Sequence, residues 1–382
     1  MKAIKREILI ILRHPIYIIC MVVLPLFVTL FFTSLMNEGQ PVKMPIGIVD
    51  QDNTSTTRKL TRMIDAFQSS KVVAHYATAE EARHAIQRNE IYGFILFPKD
   101  MTKKLMAMRQ PKMSIYYSNT SLTAGSLLYK EMKTMCTLAS AAVGQATMQA
   151  KGFSSGQITA FLQPVALDAH TIGNPWISYN MFLSSMLIPA CMLLFVFLMT
   201  AYSLGTEIKF GTQDEWIATA GGNVYKAMLA KLLPHTFVYL VVMYACMSYM
   251  FGALHFPAPG GPWRLLLLGL ISILAAQGFG VFIFGLIPSL RMAMSVCSLW
   301  GVLSFSMVGS AFPVFAMDAP LQTLSWLFPL RHYYIIYQRC IFNTFPMADA
   351  WQHIVALVVI ALLPLLMAPR IKKAFLNYEY SA

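Results

Sequence analysis

The sequence is short of charge. Of its 382 residues only 12% are Asp, Glu, Lys or Arg, against 57% hydrophobic, and its mean hydropathy stands well above that of a water-soluble globular protein. Most of the chain therefore belongs in lipid. A cysteine framework is missing too: Cys20, Cys136, Cys191, Cys246, Cys297 and Cys340 are scattered singly with no C-x-x-C pair, which supports neither a zinc site nor a disulfide scaffold. No G-x-x-x-x-G-K followed by Ser or Thr occurs, so the chain is not expected to hydrolyse ATP itself. Asp, Glu, Lys and Arg are absent from the apolar runs, where ion-coupled carriers hold the group that binds their ion; a driving force for transport is expected from elsewhere. The net charge of +12 does not mark a nucleic-acid binder, because the basic residues flank apolar runs instead of clustering in a recognition module.

What is present are long apolar runs. A lipid-crossing helix needs about 20 apolar residues at about 1.5 Å rise each, and six stretches qualify: 16–36, 177–206, 232–256, 265–290, 292–317 and 350–369. The first is too long for a signal peptide and no small-residue cleavage site follows it. Ahead of it, residues 1–15 carry Ile4, Ile8, Ile11 and Leu12 at helical spacing with basic residues between, which predicts a helix lying in the interface. The positive-inside rule orients the chain. With the N-terminus in the cytoplasm, that side receives Lys2, Lys5, Arg6, Arg13, Lys209, Lys226, Lys231, Arg291, Arg370, Lys372 and Lys373, and only Arg264, Arg331 and Arg339 fall in short outer loops. Six spans return the tail, 370–382, to the cytoplasm.

Residues 37–176 turn polar and change period. Strands are expected at 46–49, 72–76, 92–97 and 113–117, with helices between them: an amphipathic one through Leu60, Met63, Ile64 and Phe67, one capped by Thr78 and Glu81, a short one after Pro98, and a long one over 121–150. Alternating strands and helices imply an α/β domain with a mixed sheet. The expected architecture is thus a polytopic α-helical membrane protein with six transmembrane helices and an inserted extracytoplasmic α/β domain; the last five spans fill 177–369, with a cytoplasmic loop at 205–231 and an outer interfacial segment at 318–349.

Several motifs invite chemistry and are read more simply. Gly152 to Gly156 spells G-x-S-x-G, with Asp168 and His170 following in hydrolase order, but a nucleophile elbow needs a buried strand before the serine, and here a helix precedes; the stretch reads as a loop. Asp50, Asp52 and Asn53 open like a calcium loop, yet Ser55 and Thr61 stand where Gly and Glu are required, so a strand exit and helix cap are expected. His235, His255 and His353 lie at span ends without metal-ligand spacing and read as interfacial fillers. No metal is expected.

Glu7, Arg13 and Pro15, then Pro25 inside the first span, resemble the "E…R…P…P" opening of the ABC type 2 exporter permeases. Glu207, Gly211, Thr212, Asp214, Glu215 and Trp216, after the second span, are similar to the acid, Gly-Thr pair and second acid of that family's first cytoplasmic loop. The stretch 320–345, with Trp326, Phe328, Pro329, Tyr333, Tyr334, Tyr337 and Arg339, resembles its short re-entrant or interfacial helices; an aromatic membrane belt reads equally well there. The family often has Pro after the Thr that closes the loop, whereas Thr219 is followed here by Ala220.

The resemblance implies a permease subunit of an ATP-driven exporter in the inner membrane, working with a second permease copy or a paralogue. Its cytoplasmic loop is expected to couple, through Glu207 to Thr219, to a separate ATP-binding subunit that holds the ATP and Mg; no cofactor is expected in this chain. Members with an insertion after span one often act with a periplasmic adaptor and an outer-membrane channel. Apolar, Met-rich spans suit a hydrophobic drug or lipid as substrate, though any lipid-facing helix looks the same. The rivals are a membrane-anchored sensor or partner-docking protein acting through its outer domain, and a secondary transporter. The first needs a cytoplasmic output domain; the second is disfavoured by uncharged spans and the lack of visible repeats.

Overall fold

In the computed structural model, which describes residues 2–107, 109–164, 174 and 177–377, the chain divides into two units: Met1–Asn37 with Gly173–Ala382, and Glu38–Ile172. The inserted unit is built on strand alternation. Along β1 (Met44–Asp50), Ile46 and Ile48 enter a core with Leu60, Ile64, Phe97, Leu128 and Met132, while Val49 joins Ala82, Ala85 and Phe94 on the other face. With β2 (Ser70–Tyr76), β3 (Gly93–Phe97) and β4 (Ser114–Tyr117) it forms a sheet of order β2-β1-β3-β4, parallel except for β4. Parallel neighbours require crossovers, which the helices Ser55–Asp65 and Ala79–Gln87 supply. The four strands and the long helix, Leu122–Ala150, stand where the sequence pattern puts them.

The motifs read as loops and caps behave as such. Asp50 Oδ1 accepts from the Asp52 and Asn53 N–H groups, closing the strand exit, and Thr54 caps the next helix with Thr57. Ser154, the serine of the G-x-S-x-G stretch, is an N-cap: its hydroxyl accepts from Gln157 N–H and heads the helix Ser155–Leu162. Asp168 and His170 lie outside the described residues. Thr78 accepts from Glu81 N–H, but the Glu81 carboxylate reaches back to Ala77, so the expected capping box is shifted by one residue.

Among the described residues of the other unit, six helices are long and apolar enough to cross a membrane: Pro15–Leu35, Tyr179–Lys209, Val224–Ala253, Pro262–Leu286, Leu290–Met307 and Met347–Phe375, called here spans 1 to 6. The molecule is a polytopic helical membrane protein with an inserted α/β domain. Span 1 contains Pro25, which cannot donate to residue 21 and crowds its carbonyl; a π turn over Ile19–Val23 directly before it absorbs the mismatch. Spans 4 and 6 cross closely at Gly278, where a Cβ would strike the Ile360 carbonyl.

Two expectations about the spans need correction. Span 2 runs on to Lys209 and span 3 begins at Val224, so Glu207 and Lys231, expected in a polar loop, are buried on span-length helices, 3% and 1% exposed. The spans are therefore not free of charge. They tolerate these groups because each meets an opposite charge inside the protein, described below. The segment 318–349 is likewise more embedded than a belt: Tyr333 and Tyr337 are buried in the core of this unit, Pro329 opens the helix Pro329–Ile336, and Arg339 is exposed. Arg264 ties the segment down by donating to the carbonyls of Cys340, Thr344 and Phe345.

Candidate functional site

Span 2 ends and span 3 starts through a compact run of local signals. Gly211, at φ +66°, takes the left-handed position just past span 2, which a side chain would strain. Gln213–Thr219 then forms a short helix, Gly221 and Gly222, both at positive φ, end it, and Asn223 caps span 3 by accepting from the N–H groups of Tyr225 and Lys226. Within this turn the side chains divide by face. Glu207, Thr212 and Trp216 point inward, whereas Phe210, Gly211, Asp214 and Glu215 are exposed. Thr219 bonds back to the Trp216 carbonyl at 2.8 Å.

The inward residues meet the N-terminal helix, Lys2–Arg13, in a buried cluster of charge. Lys231 Nζ sits between two carboxylates, 2.9 Å from Glu7 Oε2 and 2.8 Å from Glu207 Oε1. Arg6 grips Glu207 with both terminal nitrogens, at 2.8 and 3.0 Å, and its Nε lies 3.7 Å from Glu215. Thr212 donates to the second Glu207 oxygen at 2.5 Å. His235 Nε2 lies 2.9 Å from Glu7 Oε1; a carboxylate there can only accept, so Nε2 carries the proton. The buried Glu7, Glu207, Arg6 and Lys231 charges cancel, two against two.

Aromatic rings close the cluster. Lys231 lies 5.6 Å from the centre of the fully buried Trp216 ring, which meets Phe375 of span 6 edge-on at 5.3 Å. Tyr17 of span 1 stands edge-on to His235 at 5.5 Å. On these sides the rings lower the local dielectric and strengthen the pairings. Burial alone would raise the Glu7 carboxyl, but the Lys231 ammonium and the His235 hydrogen bond overcome it and hold the group down at about 2. The Glu207 hydrogen bonds keep the Arg6 guanidinium protonated against its own burial. A buried charge stripped of its partner costs about 3–5 kcal/mol, so the cluster acts as a clamp joining the N-terminal helix, the 210–223 turn and span 3.

Of the site residues drawn from sequence, the structure brings Glu7, Glu207, Thr212, Glu215 and Trp216 to this one place. Arg13 and Pro15 sit at the end of the N-terminal helix and the start of span 1, Asp214 and Thr219 on the turn, and Pro329, Tyr333 and Arg339 in the separate 318–349 segment. Sequence reasoning missed Arg6, Lys231 and His235. It counted the first two as surface charge and the third as a filler, which its complete burial and its bond to Glu7 correct. A signal existed: Lys231, directly before the run 232–256, and His235 within it are four apart, hence on one helix face. His353 is no mere filler either, since its Nδ1 lies 2.9 Å from His332 Nδ1. Among the described residues no cluster of three or more His, Cys, Asp or Glu is placed to hold a metal.

Among the described residues, six membrane-length helices, an inserted α/β domain and buried charges paired at helix ends define a polytopic membrane protein. The family model for "ABC-2 family transporter protein" matches residues 15–368, and the chain belongs to that family. Similar proteins include two described as "Probable multidrug ABC transporter permease YbhR", from Escherichia coli strain K12 and Escherichia coli O157:H7. Each is 20% identical over 361 residues, covering 94% of this chain and 93% of the relative. The family match begins after Arg6 and Glu7, so half of the buried charge lies ahead of it.

Proposed function

We propose that this chain is the permease subunit of an ATP-driven exporter, moving a hydrophobic or amphiphilic substrate outward with energy from a separate ATP-binding subunit that carries the ATP and Mg. The observation that carries the reading is the division of the 210–223 turn. Asp214 and Glu215 face outward, where a cytoplasmic partner can press, while Thr212 and Trp216 on the same turn are held by Glu207 of span 2 and Lys231 of span 3, which Arg6 and Glu7 tie to the N-terminal helix. A push on the outer face therefore moves three membrane elements together. The printed description of the relatives as probable multidrug permeases and the Met- and Phe-rich span core favour an apolar substrate.

In this reading both termini and the 210–223 turn are cytoplasmic, the inserted domain is periplasmic, and the permease works as a homodimer or beside a similar permease. The inserted domain then serves as a docking platform for a periplasmic adaptor leading to an outer-membrane channel. The test is a cysteine at Asp214 (D214C) combined with dye efflux. Expected are a crosslink to the ATP-binding subunit that changes in yield when ATP is added, and efflux that disappears when that subunit is deleted. Efflux surviving the deletion overturns the proposal.

A further inference from the structure

Beside the charge cluster, the N-terminal helix and the end of span 2 enclose a cavity of about 660 Å³. Five cations line it: Lys2, Lys5, Arg6, Arg13 and Lys231. Its one acid is Glu207, which Arg6 and Lys231 already neutralise. Lys2, Lys5 and Arg13 make no ion pair among the described residues. The remainder of the wall is largely apolar, formed by Leu9, Ile10, Tyr17, Tyr202 and Phe210. Three positive charges without an ion pair, set beside an apolar wall, suit an occupant with both an anionic and an apolar part.

We infer that the cavity binds one membrane phospholipid with a net negative headgroup, which lies in the positive field of Lys2, Lys5 and Arg13 along the N-terminal helix, its acyl chains laid along Tyr17 and Tyr202. The position favours a lipid over a free anion. The N-terminal helix is amphipathic and ends at Arg13, directly before Pro15 opens span 1, so the cavity stands where the chain enters the bilayer and acyl chains are at hand. A free phosphate would leave the apolar walls in water and use only part of the volume. The lipid also touches the clamp: Arg6 lines the cavity and at the same time holds Glu207, so an occupied site pins the N-terminal helix against span 2. The inference rests on the membrane-spanning fold and not on the transport proposal, so failure of one leaves the other standing.

The experiment uses the full chain, purified in detergent and delipidated, then titrated with phosphatidylglycerol or phosphatidylcholine and read by native mass spectrometry. One phosphatidylglycerol per chain is expected to survive mild activation, with at least tenfold preference over phosphatidylcholine. Each juxtamembrane cation contributes on the order of a fivefold gain in affinity for anionic lipid. K2Q/K5Q/R13Q should therefore weaken binding about a hundredfold, and K5Q alone about fivefold; the single variant keeps the test valid if the triple variant melts early. The matched pair K372Q/K373Q, at exposed positions of span 6 outside the cavity, should retain the lipid. Millimolar inorganic phosphate or glycerol phosphate should leave it in place. Equal binding of both lipids, equal loss in both variant sets, or displacement by free phosphate each overturns the inference.

Discussion

Two buried polar clusters among the described residues of the membrane unit are made of different chemistry. At the start of span 3, Glu7, Glu207, Arg6 and Lys231 form a balanced set of full charges. At the start of span 6, His332 Nε2 donates to the Trp326 carbonyl at 2.8 Å, which leaves its Nδ1 to accept from His353 Nδ1 at 2.9 Å, and Trp326 stacks on His353 at 5.1 Å. Spans alternate in direction, so the two clusters lie toward opposite faces of the membrane. One end is clamped by charge and the other by neutral hydrogen bonds and stacked rings. In a charged clamp the loss of Lys231 leaves Glu7 without an opposite charge in low dielectric; a neutral one gives way in small steps.

The largest expected effect breaks the first cluster. Lys231→Met leaves Glu7 without its ammonium and Glu207 with Arg6 alone, and should destabilise the membrane unit by about 3–5 kcal/mol, read as a lowered melting temperature in detergent. Acid should separate the two clusters. The folded Glu7 carboxyl is held at about 2, below its ordinary value of 4.5, so its stabilisation is complete above pH 4.5 and drains as pH falls toward 2. Burial pushes the His332 imidazole down from 6.5; a depressed His is neutral when folded, so its share is complete above 6.5 and is lost as pH falls below it. A melting profile against pH should thus show a first loss below about 6.5 that His332→Gln reduces and a second below about 4.5 that Glu7→Gln reduces.

A smaller effect belongs to the second cluster. His353→Phe keeps a flat ring against Trp326 but leaves His332 Nδ1 unpaired, and should cost about 1–3 kcal/mol. The smallest is Asp214→Asn on the exposed face of the turn, within about 0.5 kcal/mol of the parent. If Asp214→Asn proved as damaging to stability as Lys231→Met, the division of the turn into a locked and a free face would fail.

Much of this architecture was legible from order and spacing. The six runs of apolar residues are local signals, as is the period-two pattern of Ile46, Ile48 and Val49 that faces β1 both ways. The acids Glu7 and Glu207 also stood out through the family resemblance. What the sequence could not display was the pairing. Lys231 lies 224 positions from Glu7, and a lysine beside an apolar run looks the same whether it faces lipid headgroups or a buried carboxylate. The rule that orients the chain counts such residues as surface charge, which concealed the cluster. Tyr333 and Tyr337 were ambiguous for a related reason: tyrosines near a span end suit an aromatic belt, and only the packing of the 318–349 segment shows them inside.

The central claim, that the charges at the start of span 3 act as one balanced unit, is tested most directly by a double-mutant cycle. Glu7→Gln, Lys231→Met and the combined variant are to be unfolded in the same detergent. The combined variant removes one charge of each sign and leaves Arg6 paired with Glu207, so it should be far less destabilised than the two single changes added together, with a coupling energy of about 2 kcal/mol or more. Additivity to within about 0.5 kcal/mol contradicts the account.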